Sequence, residues 1–344
     1  MVIGKKIKMS AMASAIEKGL DYLEKDPENN AIKIMDMIDG IMPDGWYDSQ
    51  RRLIREAIEE KGHWYELIQK IYALDSGVRK AFFKNFICEA SLKGSIKQDE
   101  TVEKYNCNAP WAILLDPTSA CNLRCTGCWA AEYGYKLNLT LDTINDIIAQ
   151  GKELGCHMYI YTGGEPLVRK ADLMKICEMN PDCEFLSFTN GTLIDEEFCQ
   201  EMLRVKNFVP AISLEGFEEA NDSRRGDGVY QKVMHAMDLL QSHNLAFGIS
   251  VCYTSRNYKD VTSEAFIDRI ISNGALFVWY FHYMPVGQGA SPELMVNPEQ
   301  RTEMYKKIRE FRGSKPIFAM DFQNDGEFVG GCIAGGRRYL HINA

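Results

Sequence analysis

The chain has 344 residues, 46% of them hydrophobic and 25% charged, enough to bury a sizeable core in one large domain or two smaller ones. A net charge of −9 disfavours a general partner among nucleic acids or anionic membranes, because a polyanion is repelled overall. No sustained apolar run follows the lysines of the first residues, and the most apolar stretch, 274–287, is too short and interrupted to span a bilayer. Eleven cysteines, an odd number with three crowded into eight residues, fit a reducing cytoplasm and one metal or cluster site better than a disulfide framework.

The first ~105 residues predict helices over 11–24, 32–38, 49–74 and 78–92, where apolar residues recur at spacings of three and four. Asp26, Pro27, Pro43, Asp44 and Gly45 punctuate them. From Ala112 the rhythm changes. Short apolar runs at 112–116, 157–161, 185–189, 209–214, 247–253 and 276–281 predict six strands. Between them, 141–154, 171–177, 196–205, 230–243 and 262–272 read as amphipathic helices. That alternation predicts an α/β fold with a parallel sheet and helices outside, either open or closed into a partial barrel. In both forms the chemistry belongs beyond the C-terminal ends of the strands.

Directly after the first strand comes PTSACNLRCTGCWA, which sets Cys121, Cys125 and Cys128 in a C-x3-C-x2-C pattern. Three thiolates on one loop can wrap a single centre. A cubane iron–sulfur cluster takes four ligands, so three leave one iron open. A structural zinc ion would want a fourth ligand nearby, whereas the next cysteine is Cys156. Polar motifs follow the second, third, fourth and sixth predicted strands, and one more lies beyond the fourth. YTGGEPL carries Gly163, Gly164, Glu165 and Pro166; the glycines allow close backbone approach, and the carboxylate can accept from an ammonium group. TNGTL carries Asn190, ISLEG carries Ser213 and Glu215, DSRRGDG carries Arg224 and Arg225, and MPVGQG carries Pro285 and Gly287.

These motifs resemble the signature of the radical SAM superfamily, over roughly 112–287. The resemblance implies a partial (β/α)6 TIM-like barrel preceded by a helical N-terminal module. It implies a [4Fe–4S] cluster on Cys121, Cys125 and Cys128, with S-adenosylmethionine (SAM) on the fourth iron. An electron from the reduced cluster would then yield methionine and a 5′-deoxyadenosyl radical, which abstracts hydrogen from a substrate. By the same resemblance, Gly163, Gly164, Glu165, Pro166, Asn190, Ser213, Glu215, Arg225 and Pro285 contact the cofactor, Arg225 matching better than Arg224. One departure stands out: the family places an aromatic residue before the third cysteine, and here that position is Gly127, with Trp129 following.

The segment 330–343, with Cys332 and YLHI, resembles the start of a SPASM-type extension, in which further cysteines bind auxiliary clusters. Only Cys332 of such a set stands here, so the expectation is an incomplete extension. The remaining cysteines, among them Cys252, lack ligand spacing and read as buried thiols, with Cys107 exposed. The expected division is a helical module over 1–105, a core over 106–290 and a C-terminal helix with the incomplete segment over 291–344. The substrate class remains open between a peptide or protein side chain, which the tail favours, and a small molecule or lipid precursor. The resemblance implies a flavodoxin- or ferredoxin-like electron donor and anaerobic work, while the cysteine usage points to a cytoplasmic location and the net charge to no nucleic-acid partner. The alternative is an electron carrier or scaffold that never cleaves SAM.

Overall fold

The structure, a computed structural model, describes residues 27–344 except 42–44, 46–47, 131–133, 135, 288 and 335, together with isolated positions 14, 18, 19 and 22. Of the helix expected over 11–24, all but positions 14, 18, 19 and 22 lies outside the described residues. The next three expected helices form, with shifted bounds. Helix Pro27–Ile41 precedes the 49–74 window, which divides into Asp48–Glu60 and His63–Tyr72. The break falls where Lys61 takes a positive φ of 53° ahead of Gly62. The last window runs on: Ser76–Phe82, the π-helical Phe83–Lys93 and Gly94–Tyr105 form one continuous helical rod. Asp75 caps its start, accepting from the Val78 N–H.

Eight strands follow: β1 (Ala112–Leu115), β2 (Met158–Tyr161), β3 (Glu184–Thr189), β4 (Phe208–Ser213), β5 (Gly248–Tyr253), β6 (Phe277–His282), β7 (Phe318–Asp321) and β8 (Tyr339–Ile342). They form one parallel sheet in the order β7-β6-β5-β4-β3-β2-β1-β8, curled into a half-barrel. The α/β partial barrel is therefore the architecture, with two strands more than the six expected. Helices cross between successive strands, which parallel pairing requires. Side-chain caps fix several of their starts: Thr140, Asp195 and Ser263 each accept from a backbone N–H three residues on.

Alternation along the strands sorts the core into two faces. Ile113, Leu115, Tyr159, Tyr161, Phe185, Ile212, Ile249, Val251, Val278 and Tyr280 point outward and pack under the crossing helices. Ala112, Met158, Ile160, Leu186 and Ala211 point inward and meet Ala90, with Phe86 and Trp111 packed alongside. The π-helical stretch of the N-terminal module thus covers part of the inner face. Asn85 anchors it there, donating to the Cys183 carbonyl at 3.0 Å. Among the described residues no helix is long and apolar enough to cross a membrane.

Candidate functional site

The loop after β1 is pinched at its base before it reaches the cysteines. Thr118 bridges to Asn138, Ser119 N–H donates to the Leu137 carbonyl at 2.9 Å, and Leu137 N–H donates to Ser119 Oγ at 2.9 Å. The described residues between 119 and 137 therefore stand out from the C-terminal edge of the sheet as a lobe. Cys121, Cys125 and Cys128 lie on it, each half-buried, and line a cavity of about 190 Å³ together with Ser119, Arg124 and Gly164. Burial pushes the Cys121 thiol up to about 11, offset in part by the Leu123 N–H that donates to its sulfur at 3.4 Å. Burial likewise raises Cys125, while Arg225 and Arg224 pull it back down.

The spacing of these sulfurs is compatible with a multinuclear centre. Among the described residues, the one trio of metal-binding side chains whose ligand atoms all lie within 4.8 Å of one another is His157, Asp182 and Cys183. The three loop cysteines are spread wider than that. A tetrahedral zinc with bonds of about 2.3 Å would draw its sulfurs closer. A multinuclear cluster, each sulfur on its own iron, needs the wider spread, so the donor set fits a [4Fe–4S] centre.

The glycine pair after β2 is tied to this lobe. Gly164 N–H donates to the Thr118 carbonyl at 3.0 Å and Glu165 N–H to the Ala120 carbonyl at 2.7 Å. Gly163 has φ +101°, and a Cβ on Gly164 would stand 2.2 Å from the Ala120 oxygen. The Glu165 carboxylate is spent inside the protein. It accepts from Leu167 N–H at 2.9 Å, Thr189 Oγ1 at 2.6 Å and Asn190 N–H at 2.6 Å. Pro166, also buried, opens a short 3-10 turn Pro166–Arg169. Asn190 reaches back to the lobe, its amide donating to Asn122 Oδ1 at 2.8 Å.

On the other side, Glu215 is fully buried and accepts from three groups. Arg224 Nη1 donates at 2.5 Å, Arg225 donates through Nε at 3.0 Å and also through Nη2, and the Cys252 N–H donates at 3.1 Å. Ser213, half-buried, ends β4 opposite Ser250 of β5. Pro285 lies in the turn after β6, where a Cβ on Gly287 would stand 2.9 Å from the Trp129 carbonyl oxygen. Gly163, Gly164, Glu165 and Asn190 thus gather on one flank of the cysteine lobe, Glu215 and Arg225 on the other, and Pro285 at its exit.

Four residues at the site were not singled out by the sequence. Tyr283, 3% exposed, fills the space beside Gly127: a Cβ there would lie 2.6 Å from its hydroxyl, and Gly127 has φ +67°. An aromatic ring thus stands beside the third cysteine, supplied from the residue that follows β6 rather than from the preceding position. Cys252 is half-buried on the inner face, less enclosed than its reading as a buried thiol; the alternation Gly248, Ser250, Cys252 in β5 was the available signal. Asp116, at the end of β1, accepts from His341 Nε2 at 2.8 Å, and the His341 ring meets Trp129 edge-on at 6.1 Å. That contact exists because 339–342, read in the sequence as the start of an extension, is β8 and pairs with β1.

Comparison with known proteins agrees with this geometry. Residues 115–265 match the family model of the Radical SAM superfamily. The Fe-coproporphyrin III synthase of Methanosarcina barkeri is 25% identical over 230 residues, covering 63% of this chain and 57% of that protein. The structure of Streptococcus suis SuiB bound to S-adenosylmethionine superposes with a TM-score of 0.61 at 18% identity, over 73% of this chain and 63% of SuiB. SuiB bound to its precursor peptide SuiA gives 0.59 at 18% identity, over 73% and 62%. These structures share the fold. The chain spans a little over half the length of the first curated relatives it matches, 57% and 53%. Residues 115–265 therefore match a radical SAM domain, a family whose cofactors are a [4Fe–4S] cluster and S-adenosylmethionine.

Proposed function

We propose that the chain reductively cleaves SAM and uses the resulting radical to take a hydrogen atom from a substrate held against the inner face of the half-barrel. The observation that carries this reading is the cysteine lobe: three thiols around one cavity, at the C-terminal edge of a parallel sheet. A cluster bound there supplies one electron to SAM and yields methionine and a 5′-deoxyadenosyl radical. The chain's own part is to bind, orient and exclude water. Cys121, Cys125 and Cys128 are the ligands in this reading. The backbone at Gly163 and Gly164 admits a close ligand, and Asn190, Ser213 and Pro285 border the place where SAM would lie. Glu165 and Pro166 act from behind, fixing the glycine turn to the end of β3. The helical rod ending at Tyr105 and the core from residue 106 serve as separate modules of this arrangement, with 291–344 completing the sheet.

The inner face points to the kind of group received. Phe188, Trp279, Phe281, Phe322 and Tyr339 form a connected set of half-buried rings, with successive centroids 5.2–6.3 Å apart. Such a wall favours an apolar or aromatic group over a charged one. A peptide or protein side chain is the first choice, supported by the precursor peptide in the SuiB structure of the same fold. A porphyrin is the second, favoured by the breadth of that wall and by the Fe-coproporphyrin III synthase relative. The electron would come from a flavodoxin- or ferredoxin-like donor. Anaerobic reconstitution with iron and sulfide, reduction, addition of SAM and quantification of 5′-deoxyadenosine test the reading. Product from the wild type, and none from a variant with Cys121, Cys125 and Cys128 all changed to Ala, is expected. Absence of product from fully loaded protein would favour an electron carrier.

A further inference from the structure

Two guanidinium groups share one carboxylate beside the cysteine lobe. The side chains of Arg224 and Arg225 are 13% and 11% exposed, and Glu215 is 0% exposed. The trio therefore carries one surplus positive charge in a nearly dry position, where charges act with little screening. Its members are aimed by different contacts. Arg224 grips the lobe's backbone, its Nε donating to the Thr126 carbonyl at 3.3 Å while the Thr126 N–H donates to its own carbonyl at 2.8 Å. Arg225 lies with Nε and Nη2 on Glu215, which turns Nη1 toward Cys125 Sγ at 4.0 Å. Glu215 itself is fixed by the Cys252 N–H and by its own N–H, which donates to Asn221 Oδ1 at 3.2 Å.

We infer that Arg225, aimed by Glu215, is a positioning residue that sets the ease of reducing the centre on the cysteine lobe. Its N–H faces the Cys125 sulfur, and the surplus charge of the trio favours the form carrying one more electron. This rests on the reading that Cys121, Cys125 and Cys128 hold a [4Fe–4S] cluster. Hydrogen bonds to ligand sulfurs and nearby charge are two of the means by which a protein moves a cluster's potential. The step is a one-electron reduction by an external donor, and no bond of the chain forms or breaks. The role differs from a contact with the SAM carboxylate, because it operates before SAM arrives.

The test is a potentiometric titration of the reconstituted protein without SAM, followed by EPR, with iron and sulfide counted in every sample. Arg225→Gln is expected to load normally and to be about tenfold harder to reduce, about 59 mV more negative for a one-electron couple. Arg225→Lys keeps the charge but loses the fork, and is expected to recover part of that shift. Arg224→Gln removes the same charge from a group facing the backbone instead of a sulfur, and should move the potential the same way by less. If Arg225→Gln folds poorly, the Arg224→Gln and Arg225→Lys proteins still report. Loaded variants that all titrate at the wild-type potential would overturn the inference. Wild-type protein that takes up no cluster would overturn the reading beneath it instead.

Discussion

Gly164 has no room for a side chain. An added Cβ would stand 2.2 Å from the Ala120 carbonyl oxygen and 2.6 Å from that of Ser119, both backbone atoms of the cysteine lobe. Neither can swing away as a flexible side chain would, so the lobe itself would have to move. Overpacking a tight contact costs about 1–3 kcal/mol, and here the strain would fall on the segment that carries Cys121. Gly164→Ala is expected to cut iron and sulfide uptake by at least half. Gly313→Ala, at a helical position with nothing within 4 Å of the added carbon, should load as the wild type does. Full loading of the Gly164→Ala protein would show that the lobe is looser than its contacts imply.

At the scale of elements, the helical rod and the half-barrel meet at a buried acid. Glu184, the first residue of β3, is 1% exposed, and burial pushes its carboxyl up to about 8. Asn85 on the π-helical stretch offers it a long contact of 3.5 Å, while Glu184 Oε1 and Asn85 Oδ1 find no partner among the described residues. In the folded protein this group keeps its proton until about pH 8, whereas in the unfolded chain it ionises near pH ~4.3. Its stabilising contribution is therefore complete below pH ~4.3 and is lost as the pH rises toward 8. Glu184→Gln removes that dependence. Relative to the wild type, the variant should gain stability between pH 5 and pH 8, read as a rising difference in urea midpoint. A difference that stays constant with pH would place the charge of Glu184 elsewhere.

The same scale explains what could be read from the sequence and what could not. The strands and helices from β1 to β6 follow a period of two giving way to a period of 3.6, and most of the candidate motifs sit at strand ends by chain order alone. The cysteine triplet and the glycine pair are local, so their chemistry was visible in a dozen letters. β7 and β8 are four residues each and owe their pairing to the edges already present, so no local pattern marked them. His341 meets Asp116 across 225 positions, and Glu165 meets Asn190 across 25; such pairs exist only after the sheet has curled. Glu165 and Glu215 were legible as acids at strand ends, but not as acids whose oxygens are taken by the protein's own donors.

For the whole molecule, the arrangement places a cysteine lobe at the edge of a curled parallel sheet and an aromatic wall on the sheet's inner face. The rod that begins at Ser76 covers the same face from the N-terminal side. The central claim is that three cysteines hold a four-iron cluster with one iron left open to SAM. EPR of the anaerobically reconstituted, reduced protein, recorded with and without SAM, tests it most directly. The account expects about four irons and four sulfides per chain, a signal lost when Cys121, Cys125 and Cys128 are changed to Ala, and a change in that signal on adding SAM. A signal that SAM leaves untouched, or a metal content of zinc without sulfide, would contradict it.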